Sequence, residues 1–125
     1  MSSVLDASAL LAALNAEPGS EIVAAKPEPI ISAVNLSEVV AKLVERGGAG
    51  EEIRAAIGAL RLEVRDFDAE LAHAAGLLRR TTRQQGLSLG DRACLALAQS
   101  LGLPVLTTDR SWLDLRLGID VRAIR

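Results

Sequence analysis

Five short apolar runs punctuate the chain: SVLD at 3–6, PIISA at 29–33, LEVRDF at 62–67, PVLTTD at 104–109 and IDVRAI at 119–124. Each is too short for a helix and is bounded by polar or turn-forming residues, which predicts strands. Between them apolar residues recur at helical spacing. From Asn35 onward, Leu36, Val39, Val40, Leu43 and Val44 form one stripe that ends at Gly47-Gly48, with Asn35 as the expected N-cap. GEEIRAAIGALR (50–61) predicts a second helix. DAELAHAAGLLRRTTRQQG (68–86) predicts a single long one, with Leu71, Ala74, Ala75 and Leu78 on its apolar face and Gly86 closing it. SLGDRACLALAQSLGLP (88–104) reads as a helix stopped by Gly102 and Pro104, and RSWLDLRL (110–117) as a short one before the last strand. Strands alternating with helices predict an α/β architecture with a largely parallel sheet. No repeat or linker divides residues 1–125, so one domain is expected.

Composition narrows this picture. Half of the 125 residues are hydrophobic but only 2% are aromatic, so the core must be built from Leu, Val, Ile and Ala. Cys94 is the one cysteine, which excludes an internal disulfide and a cysteine-based zinc cluster. With Leu97, Ala98 and Leu101 at helical spacing from it, Cys94 reads as a small core residue. No apolar run reaches membrane-spanning length, and the first residues lack the basic start and cleavage site of a signal peptide. A soluble, cytoplasmic protein is expected.

The formal net charge of -2 excludes the strong positive field of a non-specific nucleic-acid coating protein. The basic residues are nonetheless arginines, apart from Lys26 and Lys42, and Arg79, Arg80 and Arg83 share one segment. Arginine's planar fork suits phosphate, although the ordinary use of such a run is a solvated helix face. His73 has no histidine or cysteine partner nearby in sequence and reads as structural or solvent-facing. Trp112 can stack on a base, but packing against the sheet end is the commoner use of a sole tryptophan.

Four acids carry the candidate chemistry. Asp6 and Asp109 directly follow the first and fourth strands, Glu38 lies near the start of the helix after the second, and Asp91 opens the helix leading into the fourth. Each has a local explanation. Asn35 and Glu38, like Ser88 and Asp91, have capping-box spacing, and an aspartate after a strand caps the next helix. Topology supplies the joint explanation, because parallel strands feeding helices bring strand C-termini and helix N-termini to one sheet edge, where open α/β folds bind ligands. Helix N-termini favour an acid by roughly 0.3–1 kcal/mol. Two carboxylates about 4 Å apart repel by roughly 4 kcal/mol at an effective dielectric near 20. Four acids meeting there must retain protons or admit a cation. An all-oxygen ligand set points to Mg²⁺, with Mn²⁺ as the alternative. Such an ion suits phosphoester hydrolysis. Ser8 and Thr107 stand where their hydroxyls can support the acids.

The stretches VLDASALLA with Asp6, SAVNLSEVV with Glu38, LSLGDRACLALA with Asp91 and VLTTDRSW with Asp109 resemble the PIN-domain nucleases, specifically VapC-type toxins of toxin-antitoxin pairs. The resemblance covers nearly the whole chain, in the family's order. It implies a PIN-like three-layer fold with a five-stranded parallel sheet flanked by helices, and endonucleolytic cleavage of RNA. It also implies metal-binding roles for Asp6, Glu38, Asp91 and Asp109, an inhibitory VapB-type antitoxin, and a homodimer. Arg79, Arg80, Arg83 and Arg110 are the expected contacts to the RNA backbone. The competing reading is a catalytically inactive PIN-like module that binds RNA or protein. An aspartyl-phosphate phosphatase is disfavoured because DAS lacks a second aspartate two positions after Asp6. RGGAGEE lacks the Gly-Lys-Ser/Thr ending of a phosphate loop.

Overall fold

A computed structural model describes residues 2–125. Its five strands are β1 (Val4–Leu5), β2 (Ile30–Ser32), β3 (Glu63–Arg65), β4 (Val105–Thr107) and β5 (Val121–Ala123), all parallel, in the order β3-β2-β1-β4-β5. The five apolar runs therefore all became strands. From β1 the chain winds outward through β2 to β3, then crosses to β4 and β5. Strand order reverses between β1 and β4, which opens a crevice at the C-terminal edge there.

Neighbouring residues of each strand point to opposite faces, so two cores form. Val4, Ile30 and Val105 face one cluster with Cys94–Ala98 and Trp112, and Leu5, Ile31 and Leu106 face the other with Ala9, Leu10, Val39 and Ile124. The helices are α1 (Ala7–Leu14), α2 (Ser20–Ala24), α3 (Ala33–Glu45), α4 (Gly50–Gly58), α5 (Ala69–Leu77), α6 (Arg79–Thr82) and α7 (Leu89–Leu101). They sandwich the sheet as a three-layer α/β fold. Helix α7 is buried continuously from Ala93 to Ala98, lying against the sheet with α3 and α5 beside it. Its end falls at Gly102, whose φ of 65° is the left-handed conformation a side chain would resist. Cys94 is fully buried, His73 is exposed and Trp112 lies in the core.

The structure departs from the sequence pattern in four places. The predicted long helix breaks at Leu78 into α5, α6 and a 3-10 turn (Arg83–Gln85). The Leu78 carbonyl accepts the Thr82 hydroxyl at 2.8 Å and the Thr81 hydroxyl at 3.2 Å, while Arg92 Nη1 takes the Ala75 carbonyl at 3.0 Å. Those donors compete with the regular helical ladder. The cap of α3 is Ser32, not Asn35, and Asn35 is buried within the helix. Val44 leaves the predicted stripe and is 53% exposed. Helix α2 was not foreseen, since five residues are too few to show a period. Among the described residues no helix is long and apolar enough to cross a membrane.

Candidate metal centre

The site begins at Asp6, which is 5% exposed and caps α1. Its Oδ1 accepts the Ala9 amide at 2.8 Å and the Ser8 hydroxyl at 2.7 Å, and its Oδ2 accepts the Thr107 hydroxyl at 2.6 Å. The two hydroxyls also accept. Ser8 Oγ takes the Thr108 amide and Thr107 Oγ1 takes the Asp109 amide, each at 3.0 Å. The turn after β4 is thus laced to the start of α1 through one carboxylate. Burial pushes the Asp6 carboxyl above the ordinary carboxylate range, against the hydrogen bonds from Thr107, Ser8 and Ala9, and the charge of Asp91 adds to the rise. Three hydrogen bonds do not fully replace water around this charge.

Asp91 forms a reciprocal capping box with Ser88: its Oδ2 accepts the Ser88 amide at 3.0 Å, and Ser88 Oγ accepts the Asp91 amide at 3.1 Å. Glu38 projects from α3 toward the first turn of α7, where its Oε1 accepts Asn35 Nδ2 at 2.9 Å. The same Asn35 nitrogen donates to the Gly90 carbonyl at 2.9 Å. Cys94 lies one turn below Asp91 in the buried stretch of α7. Its thiol is pushed well above the usual range, first by burial and then by the negative fields of Asp6, Asp91 and Glu38.

Asp109 behaves differently. It is exposed, and its Oδ1 accepts the Ser111 amide at 3.0 Å and the Ser111 hydroxyl at 2.6 Å, capping the 3-10 turn Arg110–Asp114. Its backbone joins the Asp6–Thr107 network while its carboxylate lies at the rim. Among the described residues, no three His, Cys, Asp or Glu side chains gather closely enough to hold a metal ion by themselves. Asp6, Asp91 and Asp109 each accept capping hydrogen bonds at the start of a helix or 3-10 turn. A cavity of about 320 Å³ bounded by Ala13, Val23, Pro29 and Leu60 contains none of them.

The donors fit a hard divalent ion on chemical grounds. They are all oxygens, and Asp6 is buried without an ion-pair partner among the described residues. The arginines expected to meet RNA occupy the surface. Arg79 and Arg80 lie on α6 and Arg83 on the 3-10 turn that leads through Gly86 to Ser88, so they precede the α7 N-terminus in the chain. Arg80 and Arg83 border a depression of about 270 Å³ with Thr81. Arg110 is exposed and donates from Nη1 to the Arg125 carbonyl at 3.2 Å. The NLSE spacing pairs Asn35 with Glu38, but it carries no sign of the second contact that Asn35 makes, with the Gly90 carbonyl.

Removing the Thr107 hydroxyl tests the lacing. Thr107→Val preserves shape but withdraws a donor from Asp6 and leaves the Asp109 amide without its acceptor. A loss of about 1–3 kcal/mol in urea unfolding is expected, with Thr107→Ser close to wild type. An unchanged midpoint for Thr107→Val would show that this network contributes nothing to the fold.

The architecture is that of an open, parallel α/β protein with acids at its switch point. The PIN domain profile matches residues 3–116, and the chain belongs to the PIN domain family. No curated protein is significantly similar to it in sequence. Solved structures with the same fold include DNA-bound VapBC from Salmonella typhimurium, at 24% identity over all of both chains and a TM-score of 0.74. VapC20 of Mycobacterium tuberculosis, a sarcin-ricin loop cleaving toxin, is 21% identical, with 94% of this chain and 98% of that one covered and a TM-score of 0.72. VapBC-5 of the same organism, from the VapBC family of toxin-antitoxin systems, is 26% identical over 99% of this chain and 98% of that one, with a TM-score of 0.63.

Proposed function

We propose that this chain is a Mg²⁺- or Mn²⁺-dependent endoribonuclease, the toxin of a VapBC-type pair, working as a homodimer held inactive by an antitoxin. The observation that carries the reading is the buried Asp6 carboxylate, fixed by three hydrogen bonds and paired with no basic side chain among the described residues. Such a group is costly in a fold that has no use for it. The toxin and antitoxin roles rest on the likeness to VapBC proteins from several bacteria.

In this reading Asp6, Glu38 and Asp91 would hold the ion, with Asp109 at the rim as the fourth acid available to it. When bound, the ion supplies charge to a phosphate oxygen and lowers the pKa of an attacking water. Ser8 and Thr107 keep Asp6 in one rotamer with both oxygens fixed, so no reorganisation is needed when substrate arrives. Arg79, Arg80, Arg83 and Arg110 draw in the RNA backbone without reading its sequence.

A second reading, a PIN-like binding module without catalysis, is favoured by the absence of a closed three-acid cluster among the described residues. Incubation of total cellular RNA with the purified chain separates the two. The nuclease gives discrete mapped ends with Mg²⁺ or Mn²⁺ and none with chelator. Binding without new ends under every metal condition would leave only the module.

A further inference from the structure

Asn35 is 1% exposed and sits in the middle of a polar contact rather than at a helix end. Its Nδ2 donates to two acceptors from different elements, Glu38 Oε1 on its own helix and the Gly90 carbonyl in the first turn of α7, both at 2.9 Å. Both partners are acceptors, so the amide nitrogen must face them. The amide oxygen is left buried without a donor, a cost that neither packing nor capping explains. Gly90 completes the arrangement from below. A methyl group built on it would lie 2.5 Å from Glu38 Cδ and collide with both carboxylate oxygens. The Glu38 head therefore rests on the bare backbone of α7, one residue from Asp91, and only glycine leaves room for it.

We infer that Asn35 and Gly90 are positioning residues that clamp the Glu38 carboxylate beside Asp91 and so set the spacing of the acids available to a divalent ion. The inference rests on the reading of these acids as a metal site. Asn35 pulls the carboxylate down from one side and Gly90 leaves it a seat. Neither residue touches the ion or the substrate.

The two halves of the clamp fail in opposite ways, which makes the role separable from folding. Asn35→Ala frees the carboxylate but removes a buried hydrogen bond. Gly90→Ala puts a better helix former into α7, and the group it displaces is the end of a flexible side chain. Gly90→Ala is expected to melt no lower than wild type and still lose metal affinity.

Mn²⁺ titration of the purified chain, followed by the electron paramagnetic resonance signal of free Mn²⁺, reads this directly alongside thermal melts. Asn35→Ala and Gly90→Ala should each weaken Mn²⁺ binding about 10-fold, the usual effect of losing a supporting contact. Glu38→Gln should weaken it as well, and Asn35→Ala added to Glu38→Gln should cost nothing further. Wild-type affinity in Gly90→Ala overturns the clamp, as do losses from Asn35→Ala and Glu38→Gln that multiply in the double variant. Should Glu38→Gln itself bind Mn²⁺ as wild type does, Glu38 is no ligand and the clamp falls with that assignment. Loss of affinity in Glu38→Gln alone overturns the clamp and leaves the metal site standing.

Discussion

Asp6→Asn should lose RNA cleavage by on the order of 1000-fold, about 4 kcal/mol of transition-state stabilisation, and yet yield a protein that melts higher than wild type in chelator at neutral pH. The two effects have one cause. Asn keeps an oxygen for the Ala9 amide, so α1 stays capped, but it carries no charge in a place where burial disfavours one. The pH dependence fixes the sign. The folded carboxyl sits above its ordinary value of 3.8, so between those two points the folded chain holds more proton than the unfolded chain. The stability contribution of the neutral acid is complete below the unfolded value and is lost as pH rises through the folded one. The advantage of Asp6→Asn over wild type should accordingly be largest at neutral pH and vanish near pH 3. Mg²⁺ should narrow it again by stabilising wild type alone, by about 2.7 kcal/mol at 100 times Kd. Melting curves of both proteins from pH 3 to 8, with and without chelator, check every part. An Asn variant that melts lower at neutral pH, or that cleaves RNA normally, contradicts the account of Asp6.

Trp112→Ala should cost about 3–5 kcal/mol, a large share of the roughly 5–15 kcal/mol that holds a small domain together. In a chain of this size that corresponds to a fall in Tm on the order of 10–20 °C. Trp112 is 2% exposed and packs into the cluster formed by Val105 and the buried length of α7, with Leu115, Leu117 and Ile119 against it. The indole has no open face on which a base could stack. Trp112→Phe should restore part of the stability and leave RNA affinity unchanged. A variant with wild-type Tm and weakened RNA binding would return the tryptophan to the surface.

The local chemistry of the chain was enough to set out its five strands and most of its helices. Runs such as PIISA and PVLTTD carry their strand character in a few consecutive apolar residues, and alternation with helices leaves few arrangements besides a parallel α/β sheet. The core status of Cys94 followed from helical spacing alone, and the Ser88–Asp91 capping box from a separation of three. These features depend on residues within a turn or two of one another. The resemblance to PIN domains likewise rests on short stretches in a fixed order.

Contacts across long separations were decided by the tertiary structure. Asn35 had the spacing of a cap, but Ser32 takes that role and Asn35 turns to Gly90, 55 residues away. At the break near Leu78, Arg92 takes the Ala75 carbonyl from another helix. Asp6 and Asp109 looked equivalent as aspartates following strands, yet one is buried under Thr107 and Ser8 while the other stays at the rim with Ser111. Periodicity along a chain reports which face of an element is apolar. It carries no information on which backbone carbonyl a buried amide will meet, because that depends on how two elements lie against each other once the sheet has formed.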